Sequence, residues 1–312
     1  MQVGIMIEGQ EGLTWERWWR LAAAAEDLGY ESLCRSDHLT GLGGESKRPS
    51  LETWASLTAL ATRTKRIRFG PMVSPLTFYH PVILAKAAAA IDTLAGGRFD
   101  LGIGAGWNEH EHAMYGVPFP ALKERMNRLE CGARAIRALD AAKPVTLAQP
   151  YYALKNAETY PKSPSGRTRL VIGGRGEKRT LRVVAEFADE WNVTRVGAAD
   201  YPAKYRVLAD HCEAVGRDPE GIRRSLMIPL AIGRDNAEIA RRVANARAVF
   251  PALPDGEAAW RAAGFLAGPP AQVLADLDKW KAAGMQRVLL QMLDQEDIGA
   301  LELFARDVLP RL

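Results

Sequence analysis

Eight short apolar segments recur along the chain, and each is followed by a stretch whose apolar residues have the spacing of a helix. Alternation of this kind is typical of α/β proteins in which helices cover a parallel sheet. Eight such pairs favour a closed (β/α)8 TIM barrel over an open sheet, and a barrel needs about 250 residues plus insertions. We therefore expect residues 1–312 to form one TIM-barrel domain. The predicted strands are residues 3–7, 32–35, 67–75, 99–103, 170–172, 190–193, 225–232 and 287–291.

Three segments interrupt this alternation, and we expect all three to be loops or insertions at the C-terminal mouth of the barrel. Residues 41–50 are rich in glycine and polar side chains, and residues 250–270 are rich in glycine and proline. Residues 141–168 carry prolines, tyrosines and polar residues without helical spacing, which predicts an insertion with a small hairpin at 151–154. These segments would shape the pocket.

The predicted strand at 99–103 ends in a run of glycines. Gly104 and Gly106 have no Cβ, so another molecule can approach the backbone closely there. A polar and aromatic loop follows, and the carboxyl ends of barrel strands are where binding sites lie. A bound molecule is expected to contact Gly104, Ala105 and Gly106. The candidate pocket residues are Trp107, Glu111, Tyr115 and, from the sixth strand, Asn192, although packing in a core is the usual role of aromatic side chains.

Two other interpretations of this stretch are less favoured. Its G-x-G-x-G pattern is not the G-x-G-x-x-G fingerprint of a dinucleotide site. The run Glu109-His110-Glu111-His112 lacks the H-E-x-x-H spacing of a zinc site. On a helix, His110 and His112 would point about 200° apart. The sequence therefore predicts a solvated helix start and no metal site.

A second glycine-rich segment joins the fifth predicted strand to the next helix. It consists of Gly173, Gly174, Arg175 and Gly176. Backbone N–H groups at the positive end of a helix form a ready phosphate site, and Arg175 and Lys178 add positive charge. A plain tight turn is the alternative, but three glycines around an arginine favour phosphate binding.

Two further positions lie at the ends of predicted strands. Asp37 and His38 close the second strand, where the catalytic groups of barrels lie. Histidine changes protonation near neutral pH, so His38 is a candidate proton donor or acceptor; a hydrogen bond within the loop is an equal alternative. Pro71 and Pro75 bracket the end of the third strand and predict an irregular, bulged exit there.

Composition narrows the class of partner. The net charge of +4 is small, and the basic residues are scattered, which disfavours nucleic acid and favours a small anionic molecule. The three cysteines lie far apart without C-x-x-C spacing, as expected of reduced thiols in the cytoplasm. No apolar run reaches the roughly 20 residues that span a bilayer. We expect a cytoplasmic protein without a membrane segment.

Three stretches carry a resemblance to a known family: SDH at 36–38, ATRTKRIRFGPMVSPLTFYHPVILAKAAAAIDTLAGGRFDLGIGAGWNEHEHAMYGVPFP at 61–120, and IGGRGEKRTLRVVAEFADEWN at 172–192. They resemble the luciferase-like monooxygenase superfamily, and within it the F420-dependent oxidoreductases. The resemblance covers nearly the whole chain and is weaker at 141–168 and after residue 200. It implies a TIM barrel that holds a flavin or a deazaflavin at its C-terminal mouth.

The resemblance also implies roles for particular residues. His38, with Asp37 beside it, would stand close to the reactive ring. A non-prolyl cis peptide at Met72-Val73 would back the ring, and the loop from Gly173 to Gly176 would hold the phosphate. Related sugar-phosphate dehydrogenases carry a catalytic glutamate where this chain has Trp107, which disfavours sugar-phosphate oxidation.

The implied activity is hydride transfer between coenzyme F420 and an unidentified organic substrate. The alternatives are an FMN-dependent monooxygenase that uses dioxygen and a flavin-binding barrel without catalysis. The acidic tail of F420 would favour a basic rim, for which Lys47, Arg48, Arg175 and Lys178 are candidates. The sequence leaves the oligomeric state open; because relatives often pair through helices on the barrel flank, the resemblance implies a homodimer as one option.

Overall fold

The computed structural model describes residues 1–42 and 47–312, so part of the predicted loop at 41–50 lies outside the described residues. The strands are β1 (Gln2–Ile7), β2 (Ser32–Arg35), β3 (Arg68–Pro71), β4 (Ser74–Pro75), β5 (Asp100–Gly104), β6 (Val145–Leu147), β7 (Leu154–Ala157), β8 (Arg169–Gly173), β9 (Glu190–Thr194), β10 (Arg223–Ile232), β11 (Leu266–Gly268) and β12 (Arg287–Met292). The helices are α1 (Trp15–Asp27), α2 (Thr53–Arg63), α3 (Pro81–Leu94), α4 (Glu109–Met114), α5 (Leu122–Leu139), α6 (Thr180–Phe187), α7 (Tyr201–Ala214), α8 (Asn236–Val249), α9 (Glu257–Ala262), α10 (Pro270–Ala282) and α11 (Ile298–Asp307).

The parallel strands form a nearly closed barrel in the order β3-β2-β1-β12-β10-β9-β8-β5-β4. β3 and β4 are two parts of one barrel strand, which is interrupted at Met72-Val73. A parallel bridge between Phe69 and Phe99 brings the two ends of the sheet together. Counting β3 and β4 as one strand gives eight, so the predicted TIM barrel is confirmed.

Two glycines let the barrel close where β3 meets β5. A Cβ at Gly70 would overlap the carbonyl oxygen of Asp100, and a Cβ at Gly102 would overlap the carbonyl oxygen of Pro71. Both obstacles are backbone atoms, which cannot move aside as a flexible side chain can. The absence of a side chain at these positions therefore allows the two strands to approach.

The barrel interior changes character along its axis. Near the amino ends of the strands, Arg287 forms ion pairs of 2.9 Å with Glu31 and Glu190. An apolar cluster from several strands follows, and the carboxyl ends carry the polar residues described below. The members of the apolar cluster are Met6, Cys34, Met72, Val73, Val171, Met227 and Leu289.

Two predicted loops contain regular structure. In the 141–168 insertion, β6 and β7 form an antiparallel pair, so residues 151–153 join the strands and do not form the hairpin by themselves. The 250–270 segment holds α9 and β11, and β11 pairs with β10. Trp260 anchors this segment because its buried side chain packs with Ala231 and Ile239. Such short elements give too little periodicity to be read from sequence. None of the helices within the described ranges is both long and apolar enough to cross a bilayer.

Candidate functional site

His38 and Glu111 form a hydrogen-bonded pair at the mouth of the barrel. His38 follows β2, and Glu111 lies in the first turn of α4. Their Nδ1 and Oε2 atoms are 2.9 Å apart, and Glu111 also accepts a hydrogen bond from the backbone N–H of Leu39. Glu111 is only 1% exposed. Glu111 therefore contacts His38, the predicted catalytic residue. The sequence predicts Glu111 only as a residue that lines the pocket, without this contact.

The pair shifts both titrations towards the charged forms. Burial opposes the charge on His38, but the hydrogen bond and charge of Glu111, together with the charges of Glu8 and Asp37, raise the pKa of His38 above its usual value. Burial likewise opposes the charge on Glu111, but its contacts with His38 and with backbone N–H groups lower its pKa. Opposite charges in a partly buried pair stabilise each other in this way. The pair therefore favours the protonated form of His38 and the ionised form of Glu111.

Asp37 is buried, and three neighbouring side chains hydrogen-bond to it. Ser74 donates to Oδ2, as does the indole N–H of Trp54 at 3.3 Å, and the Tyr79 hydroxyl donates to Oδ1 at 3.1 Å. Burial raises the pKa of Asp37 although these donors and Arg35 oppose the shift. Asp37 thereby fixes the end of β2, directly before His38, against α2 and β4.

The predicted solvated start of α4 is only half correct. Asn108 caps the helix, and Glu109 and His110 are exposed. Glu111 and His112, however, are buried. The ring of His112 stacks on Phe78 with centroids 4.1 Å apart, and its Nδ1 is 2.7 Å from the carbonyl oxygen of Asn108. Helical geometry explains the split, because consecutive residues rotate by about 100° and alternate pairs therefore face solvent and protein.

Large apolar side chains stand exposed around His38. The Trp107 ring packs edge-on against the His38 ring with centroids 5.6 Å apart, and the Tyr115 hydroxyl donates to the Leu39 carbonyl oxygen at 3.0 Å. We call the set of four residues the aromatic lip. Its members and their exposed fractions are Trp107 (65%), Tyr115 (49%), Met114 (47%) and Leu39 (38%).

The non-prolyl cis peptide implied at Met72-Val73 is present. It places the Val73 side chain against three glycines. A Cβ at Gly104 would lie 2.7 Å from Val73 Cγ2, and Cβ atoms at Gly102 and Gly173 would lie 3.0 and 3.2 Å from its Cγ1. Gly106 has a φ of +77° and faces Thr77. The sequence predicts that a bound molecule approaches these glycines. In the structure, the side chains of Val73 and Thr77 already occupy part of that space.

The loop from Gly173 to Gly176 presents free backbone donors. Gly174 has a φ of +138°, and its N–H donates to the carbonyl oxygen of Asn192. In the described part of the chain, the N–H groups of residues 175–178 find no protein acceptor, and these residues are exposed. Arg175 donates to the carbonyl oxygen of Arg195. The helix α6 begins only at Thr180, so a phosphate here would meet loop amides before the helix.

Asn192 lies on β9 and is buried. Its side-chain amide donates to the Ser225 hydroxyl at 2.9 Å. Glu190, two residues earlier on the same face of the strand, belongs to the ion network around Arg287. Asn192 therefore contacts the barrel interior through its side chain and the glycine loop through its carbonyl oxygen, and its described hydrogen bonds do not include the His38–Glu111 pair.

Sequence reasoning missed Glu8, which directly follows β1 as His38 follows the end of β2. Its carboxylate accepts hydrogen bonds from the amides of Gln10, at 2.9 Å, and Gln291. Its position after a barrel strand was the available signal.

Arg48, which the sequence predicts as a cation of the basic rim, is engaged within the protein instead. It pairs with Glu11 at 2.8 Å and donates to the carbonyl oxygens of residues 248 and 249.

Comparison with known proteins places this geometry in context. The sequence profile of the luciferase-like monooxygenase family matches residues 1–298. An F420-dependent glucose-6-phosphate dehydrogenase of Amycolatopsis mediterranei is 28% identical over 318 residues, which cover 93% of this chain and 92% of that protein. Alignments with further proteins of the same description cover 46% to 64% of their length.

Solved structures share the fold over its whole length. An F420-dependent secondary alcohol dehydrogenase in complex with an F420-acetone adduct superimposes with a TM-score of 0.82 at 18% identity and covers 98% of both chains. The oxygenating constituent of 3,6-diketocamphane monooxygenase of Pseudomonas putida, in complex with FMN, gives a TM-score of 0.78 at 17% identity. That alignment covers 100% of this chain and 99% of the other. At these identities the likeness establishes the fold alone.

Proposed function

Because the chain belongs to the luciferase-like monooxygenase family, we propose that it is an oxidoreductase that moves a hydride between coenzyme F420 and an organic substrate. The single observation that carries this proposal is the His38–Glu111 pair at the mouth. Within the described residues, Nδ1 of His38 is engaged by Glu111 whereas Nε2 has no protein partner. A histidine whose Nδ1 is held by a carboxylate is suited, when protonated, to donate a proton from Nε2.

The residues around the mouth fit a tricyclic cofactor with a phosphate-bearing tail. Val73 lies at the interruption between β3 and β4, and the residues next to its side chain include three glycines. It therefore presents an apolar surface, and these glycine positions add no side chain beside it. The free N–H groups of residues 175–178 are suited to phosphate oxygens. When bound, F420 would supply or accept the hydride with its two electrons.

The protein's own part in this reaction is to handle the proton. In the reducing direction a substrate carbon gains a hydride, and the Nε2–H of His38 gives its proton to the substrate heteroatom. In the oxidising direction neutral His38 takes that proton back. Glu111 stabilises the charged imidazole in both cases and fixes its orientation. Asp37 holds the neighbouring backbone, so that the ring is presented at a defined position.

Cofactor binding tests the first half of the proposal. Titration should quench F420 fluorescence with a micromolar or tighter Kd, and FMN should bind at least about tenfold more weakly, equivalent to about 1.4 kcal/mol. Tighter binding of FMN would instead favour the monooxygenase. The FMN complex among the structural neighbours makes this comparison necessary.

Replacement of His38 tests the second half. The variant His38→Asn should slow hydride transfer by about 10²- to 10⁴-fold while F420 affinity changes little, because general acid catalysis has that range. His110→Asn is the matched control, since His110 is an exposed histidine in the first turn of α4, two residues after its cap Asn108. Equal turnover in parent and His38→Asn at saturating F420 would leave His38 a structural residue.

A further inference from the structure

The aromatic lip is unusual for its exposure. Trp107, Met114 and Tyr115 are each about half exposed or more; Trp107 packs against the His38 ring, and Tyr115 donates to the carbonyl oxygen of Leu39. The side chains of Trp107 and His38 are in contact, so a molecule placed against the free nitrogen of His38 must also meet the indole. Exposed apolar side chains beside a polar group that can donate a proton are typical of a ligand site.

Around His38, carboxylates outnumber the cationic side chains. The groups that act most strongly on His38 are three carboxylates, those of Glu111, Glu8 and Asp37. All three are buried, and the buried cation that acts on Asp37 and Glu8 is Arg35, so three carboxylates face two cationic side chains, His38 and Arg35. A dianionic phosphate would be repelled by such a set, because buried charges are poorly screened.

Two further arginines near this end of the barrel, Arg48 and Arg125, are already bound to protein acceptors. Arg48 gives its donors to Glu11 and to two backbone carbonyls. Arg125 donates to the carbonyl oxygens of Gly106 and Pro120, and its guanidinium lies over the Phe119 ring at 4.1 Å. Both are therefore held by protein acceptors, and neither is poised to bind a substrate anion.

We infer that the substrate is an uncharged, largely apolar molecule that packs against the aromatic lip, and that phosphorylated sugars are not substrates. This inference rests on the proposed function and adds the class of substrate to it. It separates the chain from the glucose-6-phosphate dehydrogenases to which its sequence is similar. Recognition would come from burial of apolar surface, with His38 as the polar contact that orients the reacting group.

The experiment measures binding to the F420-loaded enzyme by isothermal titration calorimetry. The probes are acetophenone and 2-octanone as neutral apolar molecules, and glucose 6-phosphate as the dianion. The neutral probes should saturate, and glucose 6-phosphate should give no saturable heat. The variant Trp107→Ala should weaken the neutral probes by about fivefold or more, because it removes most of the apolar surface that they cover. Trp107→Phe should restore most of the affinity.

A matched control is Trp15→Ala, which removes another half-exposed indole on α1 and should leave probe binding unchanged. Every variant is first titrated with F420. Loss of F420 binding in the parent would contradict the proposed function itself. With F420 bound normally, tighter binding of glucose 6-phosphate than of either ketone, or no saturable ketone binding, would overturn the inferred substrate class.

Discussion

At the scale of single residues, Glu111 is the side chain whose role changes most between sequence and structure. The sequence places it in a run of alternating acids and histidines, where a solvated helix face is the ordinary interpretation. In the fold it is buried, and it binds the ring of His38 and the N–H of Leu39. Residues 73 positions apart along the chain thus form one hydrogen-bonded pair.

The variant Glu111→Gln should lower the pKa of His38 towards its usual value, because the charged hydrogen-bond acceptor is lost while the burial remains. An NMR titration of the histidine ring protons measures this pKa directly. In the reducing direction, which requires protonated His38, turnover should decline as the pH rises, and this decline should begin at a lower pH in the variant than in the parent. The affinity for F420 should change little. An unchanged His38 titration would contradict the positioning role of Glu111.

The same pair makes stability depend on pH in a definite direction. The raised pKa of His38 stabilises the fold fully below the usual histidine value of 6.5, and this contribution is lost as the pH rises through the raised value. The lowered pKa of Glu111 contributes above 4.5 and is lost as the pH falls through the lowered value. The loss in free energy of unfolding caused by Glu111→Gln should therefore be largest between these two pH limits, and we expect it to be about 1–3 kcal/mol when measured by urea unfolding. A loss independent of pH would assign the effect to packing.

At the scale of elements, the junction of β3 and β5 is the tightest part of the barrel. Gly70→Ala would place a Cβ on the carbonyl oxygen of Asp100. We expect it to lower the free energy of unfolding by about 2–3 kcal/mol, as overpacking against atoms that cannot move aside does. Gly221→Ala is the control, because nothing lies within 4 Å of that Cβ and its φ is not in the left-handed region. Equal midpoints of urea unfolding for the two variants would contradict this account.

This junction also shows how far sequence can predict the structure. The alternation of short apolar segments with stretches of helical spacing predicts the barrel, because both patterns are local in the sequence and recur eight times. The glycines before Trp107 were attributed to a bound molecule, but several of them face Val73 or the backbone of Pro71. A glycine indicates close approach without indicating what approaches. The contacts of Arg48 and the network of Glu8 likewise depend on side chains far away in sequence, which no local pattern encodes.

At the scale of the whole molecule, the barrel separates stability from chemistry along its axis. The ion network of Arg287 lies at the amino ends of the strands, an apolar layer follows, and the His38–Glu111 pair lies at the carboxyl ends. This arrangement is usual for barrels, in which one face carries the reaction and the other maintains the fold. Substitutions at the two ends should accordingly affect different properties.

Arg287→Met tests that separation. Arg287 is fully buried, and its removal leaves Glu190, also fully buried, with Arg223 as its remaining cation. Breaking a buried pair from one side costs about 3–5 kcal/mol, whereas replacing both partners by apolar residues is often close to neutral. We therefore expect a large loss in the urea-unfolding midpoint for Arg287→Met and partial recovery in Arg287→Met combined with Glu190→Leu. The F420 affinity and the pKa of His38 should remain as in the parent wherever the variant is folded, because the apolar layer stands between the network and the mouth. A folded Arg287→Met variant with weakened F420 binding would show that the two ends of the barrel are coupled.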